Sequence, residues 1–165
     1  MPALSEHITL RPENESDADF LESLYAMSRD HDMKKVTWSQ EQKTAFLKQQ
    51  FSLQTAYYRN NYNQSRFLII ELDKSPAGRY YVEEREEELQ FVDIIVHQQY
   101  RNKGLATFLI NQLKQEAVNK QKPIRLYVDC DSWVKDYYLN TGFKEISTNN
   151  VHVHMEWIPE NTSSR

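Results

Sequence analysis

Apolar positions along this chain fall into short strand-like runs and helical repeats, and the changeovers between them mark out its elements. Ile8–Arg11 is a short β-like run that stops at Pro12, and Leu21, Leu24 and Tyr25 then repeat at helical spacing, with Ser16 or Asp17 as the expected cap. Residues 29–35 form a charged, irregular connection. Ser39-Gln-Glu-Gln42 has the form of a capping box, and Leu47, Phe51, Thr55, Tyr58 and Tyr62 share one face of a long amphipathic helix behind it. Phe67–Leu72 predicts a strand, 73–78 its turn, Arg79–Glu83 the returning strand and 84–88 a solvated acidic hairpin tip. Leu89–Val96 is rich in β-branched residues and apolar on both faces, as a buried central strand would be. Leu105, Leu109, Leu113 and Ala117 repeat every four residues with Phe108 beside them, and Pro123 leads into a strand over Ile124–Val128. A short helix over 132–141 carries Trp133, Tyr137 and Tyr138 and ends with Gly142 as its C′ residue; Val151–Trp157 is a last strand.

This order is strand, two helices, three strands, helix, strand, helix, strand. The strand–helix–strand segment over 89–128 is a βαβ crossover, so its two strands are expected to be parallel, while the hairpins before it are antiparallel. The pattern therefore predicts an α/β fold with a mixed sheet flanked by helices. With 165 residues and no linker or internal repeat, residues 1–165 are expected to form a single domain.

Composition narrows the function. The chain is 39% apolar and 27% charged, ordinary for a globular domain, and its 12% aromatic content argues against disorder. A net charge of −4 does not favour nucleic acid as a partner and is compatible with a cationic one. No stretch approaches the roughly 20 apolar residues of a membrane span, so no membrane partner is expected. Residues 1–14 lack the apolar core of a secretory signal, and the single Cys130 suits a reducing compartment, so a cytoplasmic location is expected. No cysteine or histidine spacing of the zinc type occurs, and no Gly-x-x-x-x-Gly-Lys-Ser/Thr run suggests a nucleotide P-loop, so neither metal nor ATP is expected.

The chemistry gathers at one of the three glycines. Arg101-Asn-Lys-Gly104-Leu-Ala106 joins the central strand to the third helix. A glycine there allows a tight turn and close ligand approach, and the helix start offers unpaired N–H groups and a positive dipole end. Arg101 and Lys103 add two cations, so a phosphate group is the natural occupant.

These residues carry a resemblance. Ile8-Thr-Leu-Arg-Pro…Asp17-Ala-Asp-Phe-Leu is similar to the first strand and helix of the GNAT superfamily of acyl-CoA N-acyltransferases. Arg101-Asn-Lys-Gly104-Leu-Ala106 meets that family's Arg/Gln-x-x-Gly-x-Gly/Ala pattern, and Asp131…Tyr138-Leu-Asn-Thr-Gly142-Phe143 resembles its closing signature. The resemblance implies the GNAT fold and acetyl transfer from acetyl-CoA to a primary amine of a small molecule or peptide. It implies direct attack in a ternary complex, and relatives often pair as dimers. The backbone amides of Arg101, Asn102, Lys103, Gly104, Leu105 and Ala106, with Thr107 adjacent, would hold the coenzyme A pyrophosphate. Ile94, Ile95 and Val96 would hydrogen-bond the pantetheine arm. The polar residue opening the last helix is usually Asn in relatives; Asp131 stands there, able to accept a bond but not to donate one.

The oxyanion would be met by a fixed backbone donor, the N–H of Val96 or of a neighbour, and by the same resemblance Tyr138 would be the general acid for the departing thiolate and touch the cofactor. A tyrosine of ordinary pKa, about 10, keeps its proton at neutral pH. The bland reading of Tyr138 is core packing beside Trp133. Some relatives carry a titrating residue on the central strand where this chain has Gln90. Asp93, the carboxylate inside that apolar strand, is either the base or an acceptor-binding group, or a structural hydrogen-bonder; a water chain can replace any side-chain base. His97, His152 and His154 read as structural or exposed, and Cys130 as a small core residue. The rival to an enzyme is a non-catalytic acyl-CoA-binding or regulatory domain.

Overall fold

A computed structural model describes residues 6–62, 66–130 and 134–160. Its strands are hydrogen-bonded neighbours in the order β1 (Ile8–Pro12), β2 (Arg66–Leu72), β3 (Ser75–Glu84), β4 (Leu89–Val96), β5 (Ile124–Asp129), β7 (His152–Trp157) and β6 (Lys144–Thr148). They fall in two compact units, one within Met1–Tyr81 and Asp93–Ala106, the other within Val82–Val92 and Thr107–Arg165. β3 (Ser75–Glu84) and β4 (Leu89–Val96) run through both.

In the first unit β1 (Ile8–Pro12) pairs antiparallel with β2 (Arg66–Leu72), Leu10 standing opposite Ile70. Asp73 and Lys74, at φ of 49° and 71°, form the whole turn into β3. Two left-handed residues make a primed turn, whose twist suits a tight hairpin. The turn expected over 73–78 is therefore too long, because Ser75 and Pro76 already belong to the strand.

The helical entry also differs from expectation. Neither Ser16 nor Asp17 makes the side-chain cap of α1 (Ala18–Ser28); Asn14 caps a 3-10 turn over Glu15–Asp17 that precedes it. Asn14 accepts from the Ser16 amide at 2.9 Å, and Asp17 accepts from the Asn14 amide at 2.8 Å. Asp17 is buried and bonded twice by the Arg11 guanidinium, each at 2.8 Å, which draws its pKa below the usual carboxylate range. The charged connection contains a short helix, α2 (Asp30–Met33), that buries Met33. As expected, Ser39 and Gln42 close a capping box at the start of α3 (Gln40–Asn61). Tyr25 of α1 meets Phe51 of α3 at 5.7 Å between ring centroids.

In the second unit α4 (Leu105–Lys120) links β4 to β5 (Ile124–Asp129), and those two strands are parallel, with Leu89 opposite Ile124 and Gln90 opposite Arg125. β7 (His152–Trp157) pairs antiparallel with β5, and β6 (Lys144–Thr148) with β7. β6 escapes sequence reading because all five of its residues are exposed and its register shifts between Glu145 and Ser147. Such an edge strand carries no apolar alternation. Leu109, Ile110, Leu113 and Ala117 of α4 are buried, as are Ile124, Leu126, Val153 and Met155 on the strands.

α5 (Val134–Asn140) ends in a Schellman motif: Phe143 N–H bonds Tyr138 C=O at 3.0 Å, Gly142 N–H bonds Leu139 C=O at 3.2 Å, and Gly142 takes φ 101°. The residues expected to open this helix, from Asp131 to Trp133, lie outside the described ones. The acidic hairpin tip is more than a solvated run. Glu84 pairs with Lys120 at 2.6 Å and Lys122 at 3.0 Å, which pulls it down to about 2, and Glu88 pairs with Arg125 at 3.3 Å.

Candidate active site

β4 is buried over Leu89–Phe91 and partly exposed from Val92 to Val96, so the expectation of burial along the whole strand holds for its first three residues only. Ile94, Ile95 and Val96, the residues expected at the pantetheine arm, lie in the partly exposed part. Past them His97 N–H bonds Ala77 C=O at 2.8 Å, and the His97 Nδ1 accepts from Gln99 N–H at 3.1 Å, capping a 3-10 turn over Gln98–Tyr100. That is the structural role expected of this histidine.

The next four residues make the turn into α4. Asn102 and Gly104 both take left-handed backbone, at φ 63° and 82°, and residues 101–104 are exposed. Asparagine and glycine are the residues that tolerate this conformation. Arg101 folds back so that its Nε donates to Val96 C=O at 3.1 Å, tying the loop to the strand end, and its backbone N–H, expected at the pyrophosphate, is instead taken by Gln98 C=O at 3.3 Å, closing the 3-10 turn. Leu105 and Ala106 begin the helix, where N–H groups have no intrahelical acceptor and the dipole is positive. Tight turn, paired cations and free amides together fit a diphosphate.

Deeper on the strand, Asp93 is not a free carboxylate. Arg79, with 2% of its side chain exposed, donates to Asp93 through Nε at 2.8 Å and also through Nη2. The same Nη2 donates to Gln54 Oε1 at 2.8 Å. Burial opposes the Arg79 charge, but Asp93 outweighs it and holds the guanidinium above its ordinary pKa. Arg79 also lies over the rings of Tyr81 and Tyr58, at 5.0 and 5.7 Å.

Arg79, Tyr58 and Tyr81 also line a cleft of about 390 Å³, together with residues of α3, the 13–21 segment and β2. Its walls include Glu13, Phe51, Arg59 and Phe67. Tyr81 donates to Glu13 at 2.7 Å, and Arg59 faces the other oxygen of that carboxylate. Burial raises the pKa of Tyr58 and of Tyr81, with the Asp93 charge adding to both, so both hydroxyls stay protonated at neutral pH.

In the second unit Tyr138 is 6% exposed, its ring packed edgewise on Phe91 and Phe143 at 6.2 and 5.3 Å. Its neighbour Tyr137 shares a 2.8 Å hydrogen bond with the Thr107 hydroxyl on α4. Lys114 donates to the Thr141 carbonyl at 2.5 Å, closing the C-terminal end of α5, and burial lowers its pKa. Asp131, expected to bind cofactor, lies outside the described residues.

His154 stacks on Tyr127 at 4.2 Å, His152 stands 3.5 Å from Asp129, and the Cys130 thiol points to the Asn149 carbonyl at 3.3 Å. Sequence reasoning missed Arg79, Gln54 and Gly78. An arginine directly before the aromatic pair Tyr80-Tyr81 in a strand was a readable signal for the first; Gly78 was hidden by its resemblance to a turn residue.

The family profile described as the acetyltransferase (GNAT) domain matches residues 34–161. A comparison with curated protein sequences finds no match. Among solved structures, the PaiA N-acetyltransferase of Thermoplasma acidophilum, in complex with coenzyme A, superposes with a TM-score of 0.68 at 20% identity, covering 92% of this chain and 98% of that one. The ribosomal-protein-S18-alanine N-acetyltransferase of Escherichia coli gives 0.62 at 15% identity, covering 96% and 98%. A spermidine N-acetyltransferase SpeG chimera from Vibrio cholerae and hSSAT gives 0.58 at 20% identity, covering 92% and 95%.

Proposed function

Because the chain belongs to the GNAT acetyltransferase family, we propose that it transfers the acetyl group of acetyl-CoA to a primary amine by direct attack within a ternary complex. The observation that carries this reading is the exposed turn at 101–104, left-handed at Asn102 and Gly104, feeding the first amides of α4. Those amides, with Arg101 and Lys103, bind the pyrophosphate of coenzyme A. The partly exposed end of β4 offers the Ile94, Ile95 and Val96 backbone to the pantetheine arm.

In the reaction the amine lone pair attacks the thioester carbon, forming the C–N bond. The carbonyl oxygen becomes negative and is met by Val96 N–H. The C–S bond then breaks with its electrons on sulfur, and Tyr138 gives its phenolic proton to the departing thiolate. The proton lost from the amine leaves through water. Asp93 is assigned a positioning role, since the Nε and Nη2 of the buried Arg79 both donate to its Oδ2. Acceptors are small-molecule or peptide amines.

The test is release of free coenzyme A thiol from acetyl-CoA across a panel of polyamines, amino acids, peptides and aminoglycosides. Turnover with any member supports the reading. Acetyl-CoA binding without turnover over the whole panel would mark a regulatory acyl-CoA-binding domain instead.

A further inference from the structure

We infer that the cleft beside α3 is a binding site for a small molecule bearing an alkylguanidinium group, and that the Arg59 side chain is an internal stand-in for that group. The inference is independent of the acetyl-CoA reading above.

The site is built around a carboxylate. Glu13 has only 6% of its side chain exposed, a costly place for an ion without a partner. It is fixed from two sides: its backbone N–H bonds Phe67 C=O at 3.0 Å, and its Oε2 accepts from the Tyr81 hydroxyl at 2.7 Å. The Phe67 ring packs edgewise on Tyr81 at 4.7 Å between centroids, and Tyr81 packs edgewise on Tyr58 at 5.7 Å. Carboxylate and aromatic face are thus held in one arrangement before any ligand arrives.

Arg59 shows what that arrangement selects. Its guanidinium lies over the Phe67 ring at 4.1 Å and faces Glu13 Oε1. An aromatic face below and a carboxylate at the edge together recognise a guanidinium. The occupant is loosely held, however. Arg59 stands in the last turn of α3 with 48% of its side chain exposed. An ion pair with one partner so open to water is worth little, so the side chain can turn out to solvent. Glu13 cannot follow it, and stays buried in want of another cation.

Charge points the same way. Glu13, Glu15, Arg59 and Arg79 all line the cleft, and Arg79 is committed to Asp93. With Arg59 turned out, the two glutamates leave the lining acidic, which favours a cation over an anion. The volume of about 390 Å³ suits a small molecule, and Leu21 and Phe51 offer its alkyl stem an apolar wall.

The experiment is calorimetric titration of the full chain, wild type and Arg59→Ala, with n-butylguanidinium and with its neutral isostere n-butylurea. Arg59→Ala should bind butylguanidinium about 10-fold more tightly than wild type, as for a site its own side chain closes about nine-tenths of the time. The same ligand should raise the melting temperature of Arg59→Ala more than that of wild type. Glu13→Gln added to Arg59→Ala should lose about 10-fold or more of the affinity, and butylurea should bind none of these proteins. Arg59→Ala binding no more tightly than wild type, full affinity without the Glu13 charge, or equal binding of butylurea would each overturn the inference. Should Arg59→Ala not fold, wild type decides by nuclear magnetic resonance. Butylguanidinium at tens of millimolar should shift the Arg59 Nε–H and Phe67 ring signals, and butylurea should leave both in place. Unmoved signals, or equal movement with the two compounds, would overturn it.

Discussion

Arg79 holds the Asp93 carboxylate through two guanidinium nitrogens, Nε at 2.8 Å, while its own side chain is almost wholly removed from solvent. A buried guanidinium without its counter-ion carries a desolvation cost that Gln54 and the Tyr58 and Tyr81 rings offset only in part. Replacing Asp93 by Ala should therefore destabilise the fold by about 3 kcal/mol, the low end for breaking such a pair because Asp93 is partly exposed. The double variant Arg79→Met/Asp93→Ala should cost clearly less than the two single changes summed. Urea unfolding of the four proteins measures this, and additive costs would show that the pair is not coupled.

Tyr138→Phe keeps the ring that packs on Phe91 and Phe143 and removes only the hydroxyl. Turnover should fall about 10²-fold, the low end for lost acid catalysis, with coenzyme A affinity nearly unchanged. Steady-state kinetics with a responsive amine, beside calorimetry, checks both parts. Wild-type turnover would return Tyr138 to the role of a core aromatic.

Asp17 links pH to stability. Arg11 draws its folded-state pKa below the unfolded value of about 3.9, so the folded state binds this proton less readily than the unfolded chain. Its contribution is fully present above about pH 4 and is lost as pH falls toward the folded pKa. Asp17→Asn should cost about 2 kcal/mol at neutral pH, since it ends a charge-assisted bond and weakens the cap on Asn14. The gap between variant and wild type should close in unfolding curves taken from pH 5 down to about pH 2. A gap that stays constant over that range would assign the effect to packing rather than charge.

Gly142 sits at φ 101° with Trp157 ring atoms 3.4 Å from where a Cβ would stand. Gly142→Ala should lower stability by about 1–2 kcal/mol through backbone strain, as read in thermal unfolding. An unchanged midpoint would mean that the last turn of α5 can relax around the methyl.

The elements that sequence reading recovered are those whose burial imposes a period. α4 shows itself through Leu105, Leu109, Leu113 and Ala117, and α3 through the Ser39–Gln42 box and its half-buried face. β6 stayed hidden because nothing in Lys144–Thr148 faces a core, and α2 because its four residues bury Met33 alone. At the candidate site the turn at 101–104 was legible, since glycine and two cations between a strand and a helix have few uses. The partner of Asp93 was not. Arg79 lies fourteen residues away on another strand, and only the pairing of β3 with β4 brings the two charges together. Gly78 was likewise opaque, because a glycine whose missing Cβ leaves room for the Ile95 carbonyl oxygen looks the same in a sequence as one required for a turn.

Calorimetric titration of the purified protein with acetyl-CoA bears most directly on whether the amides opening α4 hold a diphosphate. Saturable binding is predicted, competed by coenzyme A, not by ATP, and weakened when Gly104 is changed to Val, which strains the left-handed turn at φ 82°. Absence of any binding heat at millimolar acetyl-CoA would contradict the account.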